Sequence, residues 1–401
     1  MTSTISVVFE VATALGTIAS LFFYLLSGAG LVSFLSDRRK KSGQSNLTKS
    51  QLPPVSILKP LKGVDPEIWD CFCSHCEQDY PDFQIIFGVS DPDDPAIEVV
   101  RRLQAKYPSR RIELIECSRI LGANVKVSNL VQMLPAARHE ILLVNDSDIR
   151  VPKDYLRRVI TPLRDNAVGL VTCLYRGIAG PSLGSRLEAL SISTDFVPGV
   201  LSARIVDRGI HFALGSTMIF RKSDLAAIGG FEVLLDYLAD DYQLGRRISA
   251  RGKSVELSDV TVETFLPAYS FREFVDHQLR WARTIRDARR WGYLGMALTF
   301  GLPWSIALLL AARAAPWAWA LLALTLAARV GVGLAASSAV LHDRQTLNNI
   351  FLLPIRDLIA LLVWVASFAG HQVHWRGDVF YLQHGRLARA SREVRGAGDL
   401  R

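Results

Sequence analysis

Neither the G-x-G-x-x-G spacing of a dinucleotide-binding fold nor a P-loop follows the first strand-like run of this chain. That absence argues against a dehydrogenase or a kinase, whose phosphates rest on such loops. Cysteine is also scarce, with five in 401 residues. Three of them cluster as Cys71-Phe-Cys73-Ser-His75-Cys76. The segment 67–78 reads as a helix, however, where positions i and i+2 point to different faces. No second cluster completes a four-ligand zinc site, so no zinc is expected, nor disulfides in a cytosolic domain. Charged residues make up 21% of the chain against 50% hydrophobic ones, and the mean hydropathy is +0.22. Soluble enzymes are rarely so apolar, so part of the chain belongs in lipid. The net charge of +8 is concentrated beside apolar stretches, at 38–41, 280–290 and 376–401. That pattern suits an anionic membrane surface. A basic, aromatic-studded soluble face for nucleic acid is not evident.

Residues 11–35 form an apolar run closed by Asp37 and four basic residues. At a rise of about 1.5 Å per residue such a run crosses a bilayer core. A cleaved signal peptide carries its positive charge before the apolar stretch. Here the charge follows, so the run reads as a retained anchor with its N-terminus outside and 38–41 in the cytoplasm. Residues 294–312 and 316–341 read as two more apolar helices joined by a tight turn at 313–316. A third candidate, 350–370, is interrupted by Pro354, Arg356 and Asp357. One anchor plus three spans places the basic tail outside, against the positive-inside rule. Either 350–370 is re-entrant or interfacial, or another crossing lies hidden.

Between them, strand-like runs at 55–58, 83–89, 112–115, 141–144 and 168–174 alternate with helical stretches at 67–78, 96–107, 126–137 and 153–163. Alternation predicts an α/β domain with a mostly parallel sheet, and ligands at the carboxyl ends of its strands. Two strand ends are acidic: Asp91, Asp93 and Asp94 follow one, and Asp146-Ser147-Asp148 follows another. Asp93 or Asp94 could equally cap the next helix. Two carboxylates one residue apart, just past a buried strand, can point at one hard cation. Mg2+ or Mn2+ there would neutralise a diphosphate leaving group. Farther on, Asp240-Asp241 opens a helix to about Arg251, where acids also favour the helix N-terminus. Residues 271–290 read as a basic amphipathic helix containing His277-Gln278-Leu279-Arg280-Trp281. Taken alone it is an interfacial helix with Trp281 and Trp291 at headgroup level.

In this order, Asp91, Asp146-Ser-Asp148, Asp240-Asp241 and His277-x-x-Arg280-Trp281 resemble family-2-like glycosyltransferases of the GT-A fold. Lys59-Pro-Leu-Lys62-Gly63, Gly88-Val-Ser-Asp91-Pro-Asp-Asp94, Lys126-Val-Ser-Asn129 and Asp146-Ser-Asp148-Ile-Arg150 look like the ceramide glucosyltransferase family. Cys76-Glu-Gln-Asp-Tyr-Pro and Leu170-Val-Thr-Cys-Leu-Tyr-Arg176 look most like its bacterial hopanoid branch. The resemblance implies a mixed, mostly parallel GT-A sheet with an N-terminal anchor and a C-terminal helical membrane region. It implies boundaries of 1–41 for the anchor and basic flank, 53–268 for a cytoplasmic catalytic domain and 269–292 for the interfacial helix. Membrane helices at 293–375 and a basic tail at 376–401 complete the division. It further implies an inverting enzyme that carries a sugar from a UDP-sugar to a lipid hydroxyl, on ceramide with UDP-glucose or on a hopanoid such as bacteriohopanetetrol with UDP-N-acetylglucosamine. Asp241 is then the general base, Asp148 binds the divalent metal, and Asp91 and Asp146 contact the nucleotide-sugar. Lys59, Lys126 and Asn129 line the donor pocket, and His277, Arg280 and Trp281 close over the diphosphate and the acceptor mouth. His277 stands where Gln or Arg is usual, and Asp240 where Glu is common. A bacterial inner membrane is the expected location. A processive polysaccharide synthase and a catalytically silent membrane-binding protein are the competing readings; the first would usually need more spans.

Overall fold

Strands β1 (Val55–Leu61) and β2 (Phe83–Val89) bury every residue. Near-continuous apolar runs of this kind arise when helices cover both faces of a parallel sheet. The computed structural model describes residues 4–42, 52–375 and 378–389. Its main sheet adds β3 (Arg111–Glu116), β4 (Ile141–Val144), β5 (Ile149–Arg150), β6 (Val168–Ile178), β7 (Met218–Arg221) and β8 (Ser254–Phe265). The order is β3-β2-β1-β4-β7-β6-β8-β5. Strands β1 to β4 pair in parallel; β7 runs antiparallel between β4 and β6, and β5 antiparallel to β8. Leu58 lies level with Ile86 and with Val144, so the carboxyl ends of β1, β2 and β4 open side by side. The mostly parallel, mixed sheet is as expected. Strands β5, β7 and β8 were not legible as such, because they are short or carry polar residues at alternate positions.

Helix α1 (Thr4–Ser42) precedes the sheet. Helices α2 (Ile68–Cys76), α3 (Ala96–Lys106), α4 (Val125–Met133) and α5 (Tyr155–Ile160) connect its first strands. Cys71, Cys73 and Cys76 are all buried free thiols on α2. The following helices are α6 (Leu183–Ser191), α7 (Val197–Val206), α8 (Lys222–Ala227), α9 (Asp240–Ala250) and α10 (Phe271–Ala288). The last group is α11 (Arg290–Gly295), α12 (Gly301–Ala311), α13 (Pro316–Ala335), α14 (Gln345–Asn349) and α15 (Leu353–Ser367).

Among the described residues, four helical segments are long and apolar enough to cross a membrane: Thr4–Lys40, Leu183–Val206, Pro316–Val340 and Gln345–Ser367. The expected straight helix at 294–312 is instead a bent pair, Arg290–Thr299 and Gly301–Ala311, meeting at 54°. Leu183–Val206 was not expected at all, because Arg186, Glu188 and Asp195 interrupt its apolar pattern. It contains a π-helical turn, Ile192–Phe196. Small side chains let α1 approach its neighbours. Ser27 Oγ lies 2.9 Å from Ser202 Oγ, and Ser20 donates to Leu298 O at 2.7 Å. Small and hydroxylated residues serve helix contacts in lipid in the same way.

The interfacial helix corresponds to α10, started by a capping box between Ser270 and Glu273. Its Arg283 donates to Ala369 O at 2.9 Å, and Arg286 to Ser367 O and Gly370 O. These arginines satisfy carbonyls at the end of α15. Residues 372–389 also depart from expectation. They form a three-stranded antiparallel sheet, β9 (Gln372–Trp375), β10 (Asp378–Gln383) and β11 (Arg386–Arg389). Val373, Phe380, Leu382 and Leu387 bury against Leu238, so an apolar face overrides the basic character of the tail. The tail beyond 389 lies outside the described residues.

Candidate functional site

Lys126 is placed by the cap of its own helix. Asn124, at the start of α4, accepts from Val127 N at 3.2 Å and donates to Tyr237 O at 2.7 Å. One side chain thus starts α4 and ties it to the segment leading into Asp240. The small C-terminal sheet supports that segment from outside, with Leu387 N donating to Asp236 O at 2.6 Å. Lys126 Nζ consequently lies 2.8 Å from Asp146 Oδ1 and 3.3 Å from Asp240 Oδ2. Burial alone would lower its basicity, but Asp146, Asp240 and Asp241 outweigh burial and hold it above its ordinary value.

Helix α9 brings Asp241 to the same point. Its Gly245 meets the loop 212–217 backbone to backbone, where a Cβ would come within 2.4 Å of Ala213 N. Asp241 Oδ2 then accepts from Gly215 N at 2.9 Å, and Oδ1 from Tyr242 N at 2.7 Å. Gly215 sits among the key groups. A Cβ there would lie 3.1 Å from Asp146 Oδ2, 3.4 Å from Asp241 Oδ2 and 3.7 Å from Lys126 Nζ. Gly215→Ala should therefore displace these groups by tenths of an ångström and lower kcat on the order of tenfold, with the melting temperature nearly unchanged. Steady-state kinetics beside a melting curve check this; unaltered kcat would mean the groups need not stay so close.

Asp148, past β4, accepts a hydrogen bond from the Thr264 hydroxyl. Desolvation first, and then Asp146, push its carboxyl up to about 6. Desolvation and Asp240 likewise push Asp241 up to about 6, and burial raises Asp240 too, against the pull of Lys126. Asp65 joins the group by accepting from Ser147, and its charge is felt at Asp148. Asp65, Asp146, Asp148, Asp240 and Asp241 thus face two ammonium groups, Lys59 and Lys126. Among the described residues no three His, Cys, Asp or Glu side chains form a ready-made metal cage. The donor set fits a hard cation that draws most of its remaining ligands from a bound diphosphate.

The remaining expected residues fall in three places. Lys59 is wholly buried; its Nζ donates to Asp146 O at 2.9 Å, and burial pushes it down to about 8. It braces the acidic loop from behind. Asn129 is 1% exposed and donates to Gly88 O at 3.4 Å, beneath β2. Asp91 is exposed at the end of β2, where its Oδ1 accepts from Asp93 N at 3.0 Å. Its neighbour Asp94 is buried and accepts from Ala96 N and Gly63 N, both at 2.8 Å, so the helix-capping alternative holds for Asp94. His277 stacks on Tyr269 with ring centroids 5.5 Å apart, touches Trp281, and faces Glu188 Oε1 at 3.4 Å. Trp281 leans edge-on to Phe196 at 6.1 Å, whereas Trp291 is 81% exposed. Arg280, half-buried one residue earlier, exerts its charge on Tyr269.

Tyr175 on β6 joins the two halves. Burial, then Glu188, Asp241, Asp146 and Asp148, push its hydroxyl well above the ordinary range. Its ring packs on Phe196 at 5.0 Å. Gly215, Asp65, Tyr175 and Glu188 were all missed in the sequence. Tyr175 lay within a quoted motif without being assigned a role, and all four reach the site only by folding.

The sheet order, with acidic groups at the carboxyl ends of its central strands, defines the GT-A fold of nucleotide-diphospho-sugar transferases. The chain belongs to glycosyl transferase family 21, whose profile matches residues 16–388. It is 26% identical to ceramide glucosyltransferase 3 of Caenorhabditis elegans over 275 residues, 68% of this chain and 59% of that protein. It is 34% identical to the ceramide glucosyltransferase of Candida albicans over 124 residues, 28% of this chain and 23% of that protein. The matches thus span less than two thirds of either relative's own length. Among solved structures, a mannosyltransferase from Pyrobaculum calidifontis, in complex with GDP-Man and Mn2+, is similar at 18% identity and a TM-score of 0.48. That similarity covers 86% of this chain and 99% of the mannosyltransferase.

Proposed function

We propose that the chain is an inverting glycosyltransferase that moves a sugar from a UDP-sugar to a lipid hydroxyl at a membrane surface. The observation that carries the reading is the meeting of Asp146, Asp241 and Lys126 around Gly215. Family membership and similarity to ceramide glucosyltransferases support glucosyl transfer to ceramide. The hopanoid alternative rests on residues 76–81 and 170–176 alone.

A lipid hydroxyl is a poor nucleophile until a positioned carboxylate takes its proton. Asp241 is suited to this, since two backbone N–H groups fix its oxygens and it is a stronger base than an exposed aspartate. Attack on the anomeric carbon breaks its bond to the diphosphate oxygen, and UDP leaves with that electron pair. Direct displacement inverts the centre, giving a β-linked product from an α-linked donor. Asp148, with Asp146 beside it, would hold Mg2+ or Mn2+, which when bound offsets the negative charge of the departing diphosphate. Lys126 keeps Asp146 in place, and Arg280 is suited to the diphosphate from the membrane side. The basic end of α1 at Arg38 and Arg39 favours a cytoplasmic catalytic domain, in a bacterial inner membrane.

Supplying UDP-glucose or UDP-N-acetylglucosamine with ceramide or a polyol hopanoid, and identifying products by mass spectrometry, tests the reading. A β-linked monoglycosylated lipid is expected. A polymer, or no turnover of any nucleotide sugar, would overturn it. The base also sets the pH response. Protonated Asp241 cannot accept the hydroxyl proton, so kcat/KM should fall at least tenfold per unit as pH drops below about 6, more steeply if Asp148 protonates with it, and level off above it. A profile flat down to pH 4 would remove Asp241 from that role.

A further inference from the structure

A buried ionic chain connects the site to the apolar helices. Arg329 on α13 pairs with Asp357 on α15 at 2.7 Å and with Asp195, in the π-helical turn, at 2.6 Å. Arg356 on α15 lies 3.3 Å from Asp195 Oδ2 and donates to Ser191 Oγ and, at 3.3 Å, to Gln278 Oε1. Gln278 donates to Glu188 at 2.6 Å, and Glu188 faces His277. Charges among apolar helices carry a large desolvation penalty, and an apolar seam would hold the same helices without it.

Two features distinguish this chain of charges from a simple clamp. It is incompletely satisfied. Arg356 is 5% exposed, yet its Nε and Nη1, like Asp195 Oδ2, make no hydrogen bond among the described residues. Buried polar groups left in that state are costly unless a ligand completes them. Its one partly exposed member is Asp195, whose side chain is 37% exposed against 3%, 6% and 7% for Arg329, Arg356 and Asp357, although its Oδ2, facing Arg356, is buried like the arginine nitrogens. The residue that follows Asp195 reaches toward Trp281, which the resemblance puts at the acceptor mouth. Phe196, the next residue, packs on Tyr175 and Trp281, and Tyr175 feels the charge of Asp241. π-Helical turns recur at functional sites because they re-aim one side chain.

We propose that Asp195 and Arg356 bind the polar head of the lipid acceptor and select heads that carry a hydroxyl beside a second oxygen or an amide. The inference rests on the lipid-acceptor reading above. The Asp195 carboxylate accepts from the head's O–H or N–H, while Arg356 Nε–H and Nη1–H donate to the neighbouring oxygen. Arg329 and Asp357 are positioning residues that hold Asp195. Ceramide and a vicinal polyol both offer this chemistry; a plain long-chain alcohol does not.

The test uses the full-length enzyme in lipid nanodiscs, with ceramide, a polyol hopanoid and a long-chain primary alcohol as acceptors. Wild-type protein should prefer ceramide or the polyol over the alcohol by at least about tenfold in kcat/KM. Asp195→Asn should raise the acceptor KM about tenfold and erase most of that preference while leaving the donor KM in place, even though the lost charge opposite Arg329 lowers the melting temperature. Asp195→Glu should restore part of the preference, and Arg356→Lys should weaken it. An unchanged acceptor KM and preference in Asp195→Asn overturns the assignment. So does a rise of donor and acceptor KM together, by the same factor, in all three variants, which marks a structural clamp. Absence of transfer by the wild type to all three acceptors overturns the lipid-acceptor reading, and this assignment with it.

Discussion

Asp241→Asn should lower kcat by on the order of a thousandfold while leaving donor binding and the fold intact. Asparagine keeps the shape of the side chain, and its carbonyl oxygen can still accept from Gly215 N, as Asp241 Oδ2 does at 2.9 Å. What it cannot do is take the acceptor's proton. Stability should fall only modestly: the amide NH2 no longer accepts from Tyr242 N, but desolvation and Asp240 already disfavour the charged form of Asp241. Asp240 is a poor substitute, since it lies at 3.3 Å against Lys126 and is only 7% exposed. Single-turnover transfer, with donor affinity measured separately, checks the split between chemistry and binding. Transfer at near wild-type rate would move the base elsewhere.

The second large effect concerns the charge on the leaving diphosphate. Asp148→Asn should cost on the order of a hundredfold in kcat and raise the Mg2+ or Mn2+ concentration for half-activation. The side chain is desolvated, with the Thr264 hydroxyl donating to one oxygen, so the other is the one left for a cation. The neutral amide keeps the bulk but loses the charge that holds a hard ion. Titrating each metal against activity, and measuring metal affinity calorimetrically with the nucleotide diphosphate present, separates lost metal from lost fold. Unchanged metal dependence would assign the cation to Asp146 or Asp65.

The apolar continuity of 55–58 and 83–89, and the acids that follow 83–89 and 141–144, were legible because each is a local signal. A fully buried parallel strand must read as an unbroken apolar run, and ligand groups gather where such strands end. The length and flanking charge of the first apolar stretch likewise identified α1 as long enough to cross a bilayer. Asp146, Asp148 and Asp241 could be singled out in the same way, by type and order along the chain.

Tertiary structure decided the rest. That Lys126 meets both Asp146 and Asp240 depends on Asn124 joining α4 to Tyr237 across 113 residues. That Gly215 lies among three charged groups depends on α9 packing backbone to backbone on its loop. The arginines of α10 looked like membrane anchors, yet two of them donate to carbonyls at the end of α15, which have no partner within that helix. Leu183–Val206 looked too charged to be an apolar helix; Arg329 and Arg356, from helices more than a hundred residues away, compensate Asp195 within it. Local patterns in the sequence marked the buried parallel strands, the first apolar helix and the acidic groups able to act, and left β5, β7, β8 and the small C-terminal sheet unread. The pairing of charges across distant elements, which sets basicity and geometry at the site, exists only once those elements are packed together.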